Sequence, residues 1–225
     1  MKIVFSIGGS IVAPEEVDRG FVEKLASLLR DVSAKNKIAV VVGGGRPARK
    51  KIEEARKKGL NEAACDLIGI DISRLNAVEV SRAFGGWAVK EPPKTIVEAA
   101  EVFNSRRVLF MGGTEPGHST DGVAAILAEL VGADLIVNAS NVDFVYDEDP
   151  KRNRNAKPLE KILASDLVKL VAGGSMKAGG YALVDLTAAK IIERSRIKTI
   201  FLNGRDLENM RAAVEGKTFK GTTVN

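Results

Sequence analysis

An α/β fold, with a mostly parallel central sheet covered by helices on both faces, is predicted by three observations. Short β-branched runs alternate with amphipathic helical stretches along the 225 residues. Each apolar run is too continuous for a strand with one wet face. Glycines cluster directly after the first three runs, as Gly8-Gly9, Gly43-Gly44-Gly45 and Gly112-Gly113. Strands buried on both faces pair in parallel and need helical crossovers. Ligands of such sheets bind at the carboxyl ends of the strands, where these glycines fall.

Taken in order, the run K-I-V-F-S-I predicts a strand over residues 2–7, followed by a helix over 15–35. I-A-V-V-V predicts a strand over 38–42, and Pro47, suited to a first helical turn, opens a helix over 47–58. A long helix is predicted over 62–84, a strand over 108–111 and a helix over 122–130, with Thr120 or Asp121 as its N-cap. The remaining elements are strands over 135–139 and 198–202 and a helix over 180–194. The polar stretch 147–157, with Pro150, reads as an exposed loop that the sheet runs past. The length suits one domain, or two closely packed halves.

Composition narrows the classes of function. The single cysteine, Cys65, forms no intramolecular disulfide and has no second thiol for a metal pair, which fits a reducing compartment. The apolar start at residues 1–7 is too short for a signal peptide, and no apolar run approaches a membrane span, so a soluble cytoplasmic protein is expected. The net charge of +5 is spread among acids rather than gathered in a stripe, which disfavours nucleic acid. The densest basic stretch, residues 46–51 with Arg56, Lys57 and Lys58, reads either as a solvated helix face or, where it adjoins the glycines, as a place for a small anion.

Three glycine loops at one sheet edge offer unshielded backbone N–H groups, which attract phosphate. In the second loop Gly44 and Gly45 would present amides while Arg49 reaches a neighbouring phosphate from the helix. Neither the dinucleotide fingerprint nor the P-loop signature is present. The third loop, Gly112 to Gly122, is rich in hydroxyls; its His118, alone of its kind, has no partner ligand and reads as a surface or packing residue sooner than a base. The acids of residues 143–149 miss the calcium-loop spacing, so no protein metal site is expected there. Tyr146 suits an adenine ring and Asp149 nucleotide hydroxyls.

In this order I-G-G-S, V-V-G-G-G-R-P-A-R-K, G-G-T-E-P-G-H-S-T-D, N-V-D-F-V-Y-D-E-D-P and a terminal G-T-T resemble the amino acid kinase family, in its archaeal UMP kinase branch, from residue 2 to 224. The resemblance implies a three-layer αβα sandwich whose half 1–133 binds UMP and whose half 134–225 holds ATP. Carried over by position, Gly44, Asp66 and Thr114, Glu115, Pro116, Gly117, His118, Ser119 and Thr120 would bind UMP. Gly9, Ser10, Gly45, Arg49, Ser140, Asn141, Tyr146 and Asp149 would bind ATP, with Mg²⁺ carried by the nucleotide. A homohexamer, a trimer of dimers, is implied in the same way.

Two positions depart from the family pattern. Ser6 stands where a lysine is common, which moves the catalytic charge to Arg49 and to Lys177 in the glycine-rich stretch 173–180. Phe144 stands where glycine is usual, so the shape of the ATP loop is open. Kinases of this fold that phosphorylate acetylglutamate, aspartate, carbamate or isopentenyl phosphate are the alternatives, together with a non-catalytic nucleotide binder. Asp66 and the hydroxyl-rich loop favour a nucleotide acceptor.

Overall fold

The computed structural model describes residues 1–85, 91–150, 153–173 and 184–225. The chain runs β1 (Lys2–Ile7), α1 (Gly9–Val12), α2 (Arg19–Lys35), β2 (Lys37–Val42), α3 (Gly45–Lys57), α4 (Glu62–Phe84), α5 (Ile96–Ser105), β3 (Val108–Met111) and α6 (Thr120–Val131). It continues through β4 (Leu135–Ser140), β5 (Val145–Tyr146), β6 (Pro158–Leu159), β7 (Lys161–Ile162), α7 (Ala164–Ala172), α8 (Leu186–Ser195), β8 (Lys198–Asn203), α9 (Leu207–Val214) and β9 (Thr222–Val224).

Seven strands form one sheet in the order β3-β2-β1-β4-β8-β9-β7. β1 pairs in parallel with both β2 and β4, and the parallel pairing extends outward to β3 and β8. Only the β8–β9 pair in this sheet is antiparallel among the described residues. β5 and β6 make a separate antiparallel ribbon across the loop that was read from the sequence as exposed.

The alternation of side chains along each strand feeds two cores. Ile3, Phe5 and Ile7 pack with Leu25 and Leu29 of α2, Val80 of α4 and Met210 of α9. Val4, Val41 and Leu109 pack on the other face with Phe103 of α5, Leu127 of α6 and Ile192 of α8. Both faces of the central strands are therefore dry, which is why their sequences are apolar without a break. Full burial of each such side chain contributes about 1.5–3 kcal/mol.

The three-layer sandwich and all five predicted strands are present. One helix is corrected. The helix predicted over 15–35 is α2, which starts only at Arg19, where the Asp18 carboxylate accepts the Phe21 N–H at 3.0 Å; a separate short helix, α1, ends at Val12. The segment between them leaves helical geometry to lie along the start of α3, with Ala13 accepting from the Arg46 N–H at 3.3 Å. The helix expected over 180–194 is α8, which begins at Leu186 on an Asp185 cap; residues 180–183 lie outside the described residues.

Candidate active site

The parallel pairing of β1 with β2 and β4 brings the first two glycine loops into contact at the carboxyl edge of the sheet. A Cβ on Gly9 would overlap the Gly45 nitrogen and come within 2.5 Å of the Gly43 carbonyl carbon. Only a bare α-carbon permits this approach. Gly45 itself has φ 71°, a left-handed conformation that starts α3. The third loop leaves β3 against α4, where a Cβ on Gly112 would meet the Arg74 nitrogen at 2.5 Å.

Between these loops opens a cleft of about 240 Å³ lined by Gly44, Gly45, Arg49, Asp66, Gly113, His118 and Thr120, with Ile52, Gly69 and Ile70 as its apolar wall. At one end is the N-terminus of α3, whose first N–H groups are without helical partners and carry the positive end of the helix dipole. The basic stretch divides here between its two readings. Lys51, Lys57 and Arg56 pair with Glu54, Glu53 and Glu62, and Arg46 pairs with Glu15. Arg49 has no such partner among the described residues and lines the cleft.

At the other end the Asp66 carboxylate accepts the Gly117 N–H at 2.9 Å, which ties the third loop to α4. Gly117 has φ 83°, so the turn favours glycine. Glu115, Pro116 and Gly117 are exposed at the rim, whereas Thr114 is buried and its hydroxyl has no hydrogen-bond partner among the described residues. A buried, unpaired hydroxyl costs about 1–3 kcal/mol unless a ligand or water meets it. Ser119 turns away from the cleft: its hydroxyl accepts the Gly122 N–H at 3.0 Å and donates to Asp185. Ser119 is thus the N-cap of α6, one residue before the cap expected at Thr120 or Asp121.

The displaced Asp121 has another task. Its Oδ1 accepts the Ser6 hydroxyl at 2.6 Å and the Asn138 amide at 2.8 Å. Ser6 and Asn138 are register partners on β1 and β4, so the carboxyl group sits over the seam between the two innermost strands. Burial, helped by the nearby Asp185, pushes it up to about 6 against the pull of its two donors. Ser6 therefore brings a hydroxyl, not a cation, to the seam, and with Asn138 it holds Asp121.

On the far side of the seam, Ser140 ends β4 with a buried hydroxyl that has no partner among the described residues. Asn141 is exposed beside it, Ser10 is half-buried on α1, Tyr146 lies half-buried on β5, and Asp149 is buried. Phe144 is accommodated without left-handed backbone, since Arg196 is the one non-glycine residue with positive φ among those described. Its ring meets Tyr146 edge-on at 6.3 Å. Lys177 lies outside the described residues.

Cavity size does not select the site. A larger cleft of about 1000 Å³ runs between α2 and α9, but it contains none of the glycine loops, and two of its charges, Arg205 and Asp18, pair with each other at 2.7 Å. From sequence Asp121 reads only as a helix cap, and Asn138 carries no functional expectation, nor do Ser73, Arg74 and Asn76 of α4, which lies under two of the loops. For Ser6 and Asn138 a signal existed: a polar residue inside an otherwise apolar strand run.

A model of the amino acid kinase family matches residues 1–203. The chain is 45% identical to a uridylate kinase of Thermococcus kodakarensis and 46% identical to one of Methanothermobacter thermautotrophicus, in each case over all of this chain and 99% of the relative. The crystal structure of a uridylate kinase from Archaeoglobus fulgidus is similar over the full length of both chains, with a TM-score of 0.90 at 42% identity. A UMP kinase structure from Ureaplasma parvum, 22% identical, shares the fold with a TM-score of 0.81 over all of this chain and 98% of the other. The chain belongs to the amino acid kinase family.

Proposed function

We propose that the protein transfers the γ-phosphoryl group of ATP to UMP, giving UDP and ADP for pyrimidine nucleotide synthesis. The observation that carries this reading is the small acceptor cleft, with glycine amides and an unpaired Arg49 at one end and Asp66 with the hydroxyl-rich loop at the other. The same reading follows from full-length identities of 42–46% with proteins named uridylate kinase.

Such a transfer needs no general base, because the UMP phosphate oxygen is already a nucleophile. It attacks the γ-phosphorus in line; the bond from that phosphorus to the bridging oxygen breaks, and ADP leaves with the electron pair. What the protein supplies is alignment and positive charge. On this reading the Gly44 amide meets the UMP phosphate, Asp66 accepts from ribose hydroxyls, and residues 114–120 recognise uracil. Gly9, Ser10, Gly45 and Arg49 hold the ATP phosphates; Ser140, Asn141, Tyr146 and Asp149 hold its nucleoside. Arg49 and Lys177 stabilise the charge in transfer, and Mg²⁺ arrives as part of the MgATP substrate. Residues 1–133 bind the acceptor and lend Gly9, Ser10, Gly45 and Arg49 to the ATP phosphates, while residues 134–225 hold the rest of the donor.

A cytoplasmic homohexamer, a trimer of dimers, completes the proposal. No helix among the described residues is long and apolar enough to cross a membrane. Leu60, Leu67 and Leu75, 40%, 52% and 64% exposed along α4 and the turn before it, offer an apolar face to a second copy. Light scattering on the purified protein reads the mass. The activity is tested by ADP release with MgATP and a panel of UMP, CMP, dTMP, acetylglutamate, carbamate and isopentenyl phosphate. UMP is expected to turn over fastest; absence of turnover with UMP sinks the reading, and tight nucleotide binding without turnover replaces it with a binding protein.

A further inference from the structure

Three side chains within four residues of α4 grip the main chain of both acceptor-side loops. Ser73 Oγ accepts the Gly113 N–H at 2.7 Å and donates to the Ile70 carbonyl at 2.6 Å. Arg74 donates from Nε to the Gly113 carbonyl and from a terminal nitrogen to the Thr114 carbonyl, both at 3.0 Å. Asn76, only 4% exposed, places one amide nitrogen on two consecutive carbonyls, Gly43 at 2.8 Å and Gly44 at 3.1 Å.

A buried asparagine is costly in the middle of a helix unless its polar atoms find partners. Here the partners are the loop at the phosphate end of the cleft. In a trans peptide the carbonyl of one residue and the N–H of the next point in opposite directions. Holding the Gly43 and Gly44 carbonyls against Asn76 therefore turns the N–H groups of Gly44 and Gly45 away from α4. Both residues line the cleft, and neither N–H has a partner among the described residues. Glycine offers no side chain to fix these peptide planes, so the restraint must come from a neighbour.

We propose that Asn76 is a positioning residue for the transfer step: its one side-chain amide aims two adjacent backbone donors, one at the acceptor phosphate and one at the phosphoryl group in transfer. The inference rests on the UMP kinase reading of the cleft. Asn76 touches neither substrate and acts through the glycine pair. Its removal disturbs the relative orientation of the reacting groups more than the affinity for either, so the loss falls on kcat.

The test compares Asn76→Leu, close in size but without donors, with Val80→Ala, which thins a fully buried site one turn further along α4 and removes no hydrogen bond. Calorimetric titration with UMP counts competent sites, so that rate per site is separated from loss of folded protein. For N76L, kcat per site is expected to fall about 10- to 100-fold, with KM for UMP and for ATP each within about threefold of wild type. V80A is expected to melt at a lower temperature yet keep kcat per site within about twofold. An N76L kcat per site within twofold of an active wild type overturns the proposal, as does an equal loss in V80A. A wild type that does not turn over UMP removes the underlying reading first. Should N76L fail to accumulate, Asn76→Ser, which keeps one donor, carries the test: a loss of about three- to tenfold per site is expected, and wild-type kcat overturns the proposal.

Discussion

The glycine loops on the acceptor side of the cleft and the turn at residues 141–144 on the donor side are held by different kinds of bond. On the acceptor side α4 binds main chain: the carbonyls of Gly43, Gly44, Gly113 and Thr114 and the N–H of Gly113 all meet its side chains. On the donor side Thr222 also grips main chain, accepting the Val145 N–H at 2.9 Å and donating to the Leu159 carbonyl, but the turn before β5 is held side chain to side chain: Asp143 accepts from Lys220 at 2.6 Å and from Asn203 at 3.0 Å, and Phe144 lies against Tyr146. A grip on the main chain sets the direction of peptide groups, and the gripped residue has no rotamer by which to escape it. A grip between two side chains can be relaxed by a rotamer change on either side. The acceptor geometry should therefore be brittle and the donor geometry forgiving, with Gly9 and Asp121 marking the seam between them.

The largest effect is expected where the two sides touch. Gly9→Ala forces the first glycine loop off the second, because the new methyl would occupy the place of the Gly45 nitrogen. A displacement of about 1 Å between reacting groups is enough to cost about 100-fold in kcat/KM, and both substrates should suffer. Steady-state kinetics with each substrate varied reads this directly. A variant that keeps more than about a tenth of wild-type kcat/KM would mean that the loops slide freely, and the contrast between brittle and forgiving sides would lose its foundation.

Asp121 sharpens the comparison at the seam through pH. Its folded value, about 6, lies above the ordinary 3.8 of an unfolded aspartate, so the folded state holds the proton more tightly. The stability this contributes is fully present below about pH 4 and is lost as pH rises through 6, a swing on the order of 2 kcal/mol. Asp121→Asn keeps an oxygen for Ser6 and Asn138 but does not titrate. Denaturant unfolding of both proteins from pH 4 to pH 8 should show wild type losing stability relative to D121N by that amount across the window. A constant difference at all pH values would place the carboxyl group in contact with water.

How much of this was legible in the sequence depends on the range of the interaction. The strands and their glycine breaks were legible because a run buried on both faces and a bend needing glycine are local properties. The Thr95-Ile96-Val97-Glu98 capping pattern also marks α5, where the Thr95 hydroxyl accepts the Glu98 N–H, although the helix was not predicted. Two-residue strands such as β5 and β7 have no period to read. Asn76 could not be read, because on an isolated helix it looks like a residue of the polar face; only the packing of α4 beneath the glycine loops makes it a buried donor. The same holds for Asp121, which reads as a cap until β1 and β4 bring Ser6 and Asn138 to it.

The smallest effect is expected on the donor side. Lys220 lowers the pKa of Asp143 from its ordinary value, chiefly through their hydrogen bond, with Asn203 adding a second. The lysine side chain is 59% exposed, so water and salt replace much of what the pair contributes. Lys220→Met keeps the stem and removes the charge. Asn203 still anchors Asp143, and the β5–β6 ribbon still carries Tyr146. KM for ATP should rise by only about threefold, more at low salt than at high, while KM for UMP stays at its wild-type value. A tenfold or larger change in KM for ATP, or an equal change for UMP, would show that the donor side is as tightly determined as the acceptor side, and that main-chain anchoring is not what separates them.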